Sequence, residues 1–514
     1  MSPTLALWIC IVGAAGLFYL DRDKSVRTSK ALWVPLIWLS IAGSRSVSAW
    51  FGMGVPKEIP GQLPESSLLD QLIAGALIFV GVIVLIRRRR DVLSLLKANW
   101  PIVLYFSFCL VSLLWSDFPA WGFKRWTRAL GDLVMVLIVA TEVQPTAAFR
   151  RLFSRVGFVL LPASVLLIKY YPKLGVGWDA WGEAQAFTGV TTDKNVLGDL
   201  SFLIGLGALW QILSLVRDRE QPNRSRRLLA QCTLLAFGID LLLTAHCATA
   251  LACSILGAGL ILAISRPLFR RSPGAVHALV LAILLGGGLS SLLGGRAAMT
   301  EALGRKPDFT GRTEIWRIVI PMAPNPISGA GFETFWLGPR VAKIFAEVGG
   351  PQMTNEAHNG YIEVYLNLGC LGLGLIALIL GQGYHRAVSA FRRDPALGGL
   401  LVVYVVTAVT FNVTEAGFRM LSLEWFFLLV SIMAASRVIS LAQTAPDSSR
   451  ELADADRPSW ATRMSSNSAR LGCRVESFLL RDAVTRWSDR TEPGRTRIIV
   501  DSRKADDRSR FRGC

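Results

Sequence analysis

Ala357-His358-Asn359-Gly360-Tyr361-Ile362-Glu363-Val364-Tyr365-Leu366-Asn367-Leu368-Gly369-Cys370-Leu371-Gly372 marks the point where a long polar loop turns into an apolar helix. Asn359, Glu363 and Asn367 recur every four residues and therefore share one helix face. A glutamate inside a membrane-crossing helix costs roughly 2.5–3.5 kcal/mol near the bilayer centre and less near its surface, so this stripe is expected to face a polar partner. Gly369, Gly372 and Gly374 read as small residues that let another helix approach closely. Upstream, the loop holds Gly311-Arg312-Thr313-Glu314-Ile315-Trp316 and the turn Asn325-Pro326-Ile327-Ser328-Gly329-Ala330-Gly331-Phe332. Apolar positions after Arg312 predict a short helix lying along the membrane, stopped by Pro321, Pro324 and Pro326.

The remainder of the chain explains why a polar loop stands out. Of 514 residues, 52% are hydrophobic and 18% charged, and mean hydropathy is +0.43. Such a composition points to serial membrane-spanning helices. Apolar runs of spanning length fall near 3–20, 31–51, 69–86, 99–115, 126–141, 152–169, 195–216, 228–244, 248–265, 275–293, 358–383, 396–413 and 421–440, about thirteen in all. The expectation is an all-α polytopic membrane protein. Its parts are N-terminal transmembrane helices (1–293), a large loop with short helices (294–357), C-terminal transmembrane helices (358–440) and a charged tail (441–514). The tail alternates Arg with Asp and Glu and reads as disordered or loosely held at an anionic membrane surface. The segment Thr4–Leu20 lacks a basic n-region and a small-residue exit, so it reads as a retained helix.

The net charge of +18 would suggest nucleic acid in a soluble protein. Here the cations sit in short loops between apolar runs, which is a topology signal and argues against nucleic-acid binding. Every odd-numbered loop is basic: Arg22 to Lys30, Arg87 to Lys97, Arg150 with Arg151, Arg217 to Arg227, Arg266 to Arg271, and Arg386 to Arg393. Odd loops are therefore expected in the cytoplasm, with the N-terminus outside and the C-terminus inside. Six of the eight cysteines lie in or beside apolar runs, without disulfide or zinc spacing.

Candidate chemistry gathers on the outward side. His358 stands at the start of a helix, where the dipole disfavours an imidazolium, so a neutral proton-accepting ring is expected; a simple cap is the plainer alternative. Arg312 offers a guanidinium that grips a diphosphate through two parallel hydrogen bonds. Arg45, Arg125, Arg128, Lys194 with Asn195, and His246 also lie at outward helix ends. Together with Asn359 and Glu363 they are candidates for binding an anionic substrate. Snorkelling to lipid phosphate would satisfy any single cation among them. No Walker loop, dinucleotide fingerprint or metalloprotease helix is present, and no cofactor or metal site is expected.

At these residues the chain resembles the O-antigen ligase and Wzy-type polysaccharide polymerase family. His358-Asn359 followed by Gly369-x-x-Gly372, the Gly311-Arg312…Trp316 block, the Asn325–Phe332 turn and Lys194-Asn195-x-x-Gly198 occur in the family's order. The early Pro35-Leu36-Ile37-Trp38…Ser44-Arg45-Ser46…Trp50 block looks like the exopolysaccharide-polymerising, succinoglycan-type branch. The resemblance implies a metal-independent glycosyltransferase of the GT-C class at the periplasmic face of the bacterial inner membrane. It would polymerise undecaprenyl-diphosphate-linked oligosaccharide, alongside flippase and chain-length regulator proteins. By resemblance, His358 would deprotonate the acceptor and Arg312 would hold the diphosphate. The family commonly carries a basic residue near Ala248-Thr249-Ala250, where this chain has none, which leaves His246 or another cation for the second phosphate contact. A ligase for finished glycan uses the same constellation. A transporter of the same lipid-linked sugar would instead predict an internal repeat and charges reachable from both faces. No repeat is visible.

Overall fold

The computed structural model describes residues 1–23, 26, 28–53, 67–178, 185–292, 312–348 and 356–444. The tail from 445, Arg296, Arg305, Gly311 and Trp181 lie outside the described residues. Almost all that is described is helical, apart from a two-stranded antiparallel ribbon, Val176–Trp178 with Gln185–Phe187. Helices fall at each of the thirteen apolar runs, the run 31–51 being divided into Trp33–Ala42 and the short Val47–Trp50. Length and hydropathy mark seven of these helices as able to cross a membrane, and the bent pair Arg89–Ala98 and Trp100–Trp115 makes an eighth when taken as one span. Lys30–Ala42, Ala248–Ile264 and Pro395–Phe411 are apolar but shorter, while Pro119–Ala140 carries Lys124, Arg125 and Arg128 near its start. The chain is thus an all-α polytopic membrane protein.

Helices Pro145–Tyr170, Lys194–Arg217, Pro395–Phe411 and Leu423–Thr444 supply much of the buried interior. At its centre Phe153 stacks on Phe427 at 4.6 Å and on Tyr404 at 5.4 Å. Helix Lys194–Arg217 packs on Arg224–Thr244 and Ala248–Ile264, and Gly360–Arg393 packs on Pro395–Phe411.

The loops sort into two sets that touch within themselves. Among odd loops, Ser29 and Arg88 both reach Glu142. Asp23 takes Arg150 and Arg227, Arg217 donates to Ser265 O, and Arg386 donates to Ala98 O. Among even loops, Arg45 reaches Thr188 and Thr191, Ser116 pairs with Thr334, and Arg312 pairs with Glu415. That division is what alternating helix direction produces.

Helix Gly360–Arg393 is broken at Gly369, whose φ of 63° and ψ of −162° belong to a region open essentially to glycine. The break frees backbone groups that lipid could not satisfy. The Pro326–Gly331 turn takes them up: Cys370 N donates to Pro326 O at 2.8 Å and Leu371 N to Ile327 O at 3.1 Å. In return Ala330 N donates to Leu366 O at 3.0 Å and Gly331 N to Asn367 O at 2.9 Å. A Cβ on Gly369 would collide with the Ile327 backbone, and one on Gly329 with the backbone of Asn367. The packing role expected for the three glycines is therefore corrected. Gly369 serves the break, Gly372 lies against Leu368 and Val364 of its own helix, and Gly374 meets nothing within 4 Å.

Candidate active site

The site is assembled where the Gly360 helix begins. Asn359 caps that helix, its Oδ1 accepting from Tyr361 N and Ile362 N, both at 3.0 Å. Its Nδ2 donates to Val413 O at 2.8 Å. Gly360 N donates to the carbonyls of Asn412 and Glu415, each at 2.9 Å, and any side chain at 360 would strike Asn412. The helix start is thereby fastened to the 412–422 turn, which brings Glu415 and Arg419 beside His358. The expected short helix exists as Arg312–Val319. Trp316 Nε1 donates to Ala357 O at 2.7 Å, which ties that helix to the residue before the histidine.

Five charged side chains interlock there. Arg312 Nη2 meets Glu415 Oε1 at 2.8 Å, and its Nη1 donates to Thr414 O. His358 Nδ1 lies 2.9 Å from Glu356 Oε1 and 3.5 Å from Glu415 Oε2, with neither oxygen aligned on the ring N–H. Arg419 Nη1 meets Glu356 Oε2 at 2.6 Å. From the start of helix Ala248–Ile264, Thr249 Oγ1 reaches Thr414 Oγ1 at 2.9 Å and Glu415 Oε1 at 3.5 Å.

Burial works against an imidazolium here, but Glu356 and Glu415 outweigh it and push His358 up to about 10. Burial likewise opposes an ionised Glu356, yet His358 and Arg419 hold its carboxyl down to about 2. The neutral ring expected from the helix dipole is corrected: two carboxylates within 3.5 Å dominate a dipole effect of about 0.3–1 kcal/mol. His358 also holds a left-handed φ of 49°. His246, Glu333 and Leu421 do the same in even loops at φ of 50°, 55° and 59°, and Asn223 does so in an odd loop at 56°. At His358 this φ is held by the fastening of residues 359 and 360 to the 412–422 turn.

The other sequence candidates are placed as follows. Glu363 is buried and accepts from Trp336 Nε1 at 2.9 Å and from Ala357 N. Asn367 accepts from Phe335 N at 3.1 Å. The polar stripe thus faces the loop, as its spacing predicts, and fastens it to the helix. Arg45 is engaged with Thr191 O at 3.1 Å, Thr188 Oγ1 at 3.2 Å and Leu174 O, so its guanidinium braces the 172–191 segment. Arg125 donates to Glu333 O. Arg128 is half-buried and lines a cavity of about 110 Å³ with Trp38, Asp70 and Leu421. Lys194 and Asn195 open their helix behind the cap Asp193, whose carboxyl feels the charges of Glu356, Glu415 and His358. His246 is exposed just before helix Ala248–Ile264.

Glu356, Glu415 and Arg419 are the cluster residues that the sequence reading passes over. The available signal was a glutamate two residues before His358 and a pair of charges in the short gap between two apolar runs. The second guanidinium at the cluster is Arg419, contributed by the 412–422 turn rather than by the turn before Ala248.

Glu356, His358 and Glu415 offer three ligand atoms within 4.8 Å of one another, close enough to hold a metal ion. Each carboxylate, however, already carries a guanidinium, at 2.8 Å for Glu415 and 2.6 Å for Glu356. Arg312, Arg419 and His358 thus converge on the same two carboxylates. A metal ion at these atoms would have to compete with both guanidiniums for the two carboxylates.

Residues 232–377 match the O-antigen ligase family. The matched segment includes Arg312, His358, Asn359, Glu363 and the Gly369 break, and it stops before the 412–422 turn. The match does not separate the succinoglycan-type branch from the rest of the family. A search of curated proteins finds no match. Residues 232–377 are thus similar to an O-antigen ligase domain, and this likeness supports a membrane enzyme of the ligase and polymerase type.

Proposed function

We propose that the chain is an inner-membrane glycosyltransferase that polymerises undecaprenyl-diphosphate-linked exopolysaccharide repeat units at the periplasmic face, with its N-terminus outside. The observation that carries this reading is the convergence of Arg312, Arg419 and His358 on one cluster, set among the even loops beside the helix break. A sugar diphosphate is already a good leaving group, so positioning and charge stabilisation should supply most of the acceleration. In this reading Arg312 and His358 meet the diphosphate as it departs, and an acceptor hydroxyl attacks the anomeric carbon with inversion. Lys194, Asn195 and Arg128, at the same end of the bundle, are placed to meet the glycan or its lipid carrier. Arg45, Arg125, Asn359 and Glu363 act on the substrate only through the loops they hold. The chemistry is proposed to need no metal, so a chelator should leave the rate unchanged.

A ligase reading is favoured by one observation, the description of the matched family. The two readings differ in the acceptor, and one experiment separates them. A deletion strain is complemented with wild type, His358→Ala or Arg312→Lys, each checked for wild-type membrane levels. Polymerase function predicts loss of secreted polymer and accumulation of single lipid-linked repeat units in both variants. Accumulation of finished lipid-linked polymer would establish the ligase instead. Normal polymer from both variants would remove the site assignment altogether.

A further inference from the structure

Glu415 occupies a position where an anion belongs. One carboxylate oxygen takes Arg312 Nη2 at 2.8 Å and the other lies 3.5 Å from His358 Nδ1. Its side chain is only 6% exposed, and its own carbonyl is fastened to Gly360 N at 2.9 Å. The backbone is therefore fixed, and the side chain alone is left to move. Glu356 differs, since its carboxylate is gripped by Arg419 at 2.6 Å and by His358 at 2.9 Å. A diphosphate, with more negative charge and more acceptor oxygens than one carboxylate, is the stronger partner for a guanidinium and an imidazolium.

We propose that Glu415 is the general base of the transfer: the donor's diphosphate displaces its carboxylate from Arg312 and His358, and the freed carboxylate takes the proton of the acceptor hydroxyl. This rests on the transferase reading above. The acceptor O–H bond breaks and its proton passes to Glu415. The hydroxyl oxygen bonds to the anomeric carbon, the bond from that carbon to the diphosphate oxygen breaks, and its electron pair leaves on undecaprenyl diphosphate. His358, whose Nδ1 lies 2.9 Å from Glu356 and 3.5 Å from Glu415, is favoured as an imidazolium by those two carboxylates and in this proposal holds the leaving group. At rest, Glu415 stands in for the substrate, which keeps the guanidinium and imidazolium paired while no diphosphate is bound.

The test uses purified full-length protein in lipid nanodiscs, a lipid-linked donor, a short glycan acceptor, and undecaprenyl diphosphate as a binding probe. Glu415→Gln is expected to lower kcat about 10²–10⁴-fold while binding undecaprenyl diphosphate at least as tightly as wild type, because the competing charge is gone. His358→Gln is expected to weaken that binding about tenfold or more. Glu415→Asp keeps the carboxylate and should retain part of the rate, which separates chemistry from misfolding. Wild-type kcat in Glu415→Gln would overturn the proposal. So would a His358→Gln variant that binds the probe normally yet loses kcat, since histidine would then be the base. A wild type that transfers no sugar overturns the transferase reading and the proposal together.

Discussion

At His358 the decisive fact is the pair of carboxylates around the ring, which the local sequence reveals only in part. Glu356 lies two residues away and was open to reading, whereas Glu415 reaches the ring by tertiary folding of the 412–422 turn. Sequence position alone gives the helix dipole and hence a neutral ring; the fold reverses that sign. The consequence is testable through pH. A group whose folded pKa of about 10 exceeds its unfolded value of about 6.5 contributes ion-pair stability that is complete below the unfolded value. That contribution is lost as pH rises through the folded one. Transfer measured as kcat/KM for the lipid-linked donor should therefore fall as pH approaches 10. Glu356→Gln removes one of the two carboxylates and should move that fall to lower pH, by on the order of one unit or more. A profile that climbs through the same range would show that the deprotonated ring is the active form.

The central element is the broken helix Gly360–Arg393 and the turn that fills its break. The Asn325–Phe332 block and the Gly369-x-x-Gly372 signature are far apart in sequence, and each by itself reads as punctuation or packing. Their shared purpose became visible only in the reciprocal hydrogen bonds between Pro326–Gly331 and Leu366–Leu371. The polar stripe was more legible, because a four-residue spacing of Asn359, Glu363 and Asn367 in an apolar helix demands polar partners, and the loop supplies them through Val413, Trp336 and Phe335. Gly369→Ala and Gly329→Ala should each lower the thermal unfolding temperature of the solubilised protein and reduce transfer, by roughly 2–4 kcal/mol or more from forced backbone strain. Because both act on one junction, the double variant should cost less than the sum. Gly374→Ala, with open space around it, should be neutral; equal losses at Gly374 would mean that the glycines serve helix packing after all.

Among the described residues, hydropathy located the long apolar helices, because burying backbone in lipid leaves little alternative to helix, whereas the amphipathic Arg89–Ala98 and Pro339–Val348 lie outside the thirteen runs. Which of the shorter helices cross fully is a matter of packing and tilt, and apolar length does not decide it. Charge asymmetry separated the loops into two sets, and the contacts within each set agree with that separation. Sidedness can be read by labelling single cysteines in a background without native ones. Thr192→Cys, exposed among the even loops, should react with a membrane-impermeant maleimide in intact spheroplasts. Val143→Cys, at an odd-loop position 80% exposed, should react only after permeabilisation. The reverse pattern would place the charged cluster in the cytoplasm and remove the periplasmic reading.

The measurement that bears most directly on the central claim is reconstitution with one protein and one substrate. Purified chain in nanodiscs is given only undecaprenyl-diphosphate-linked repeat unit, with chelator and without nucleotide, and products are resolved by mass. The expected products are lipid-linked chains of two and more repeats, together with one free undecaprenyl diphosphate for each linkage made, and neither product from Arg312→Lys. Intact single repeat units, with no undecaprenyl diphosphate released under conditions where the folded protein binds them, would contradict the central claim.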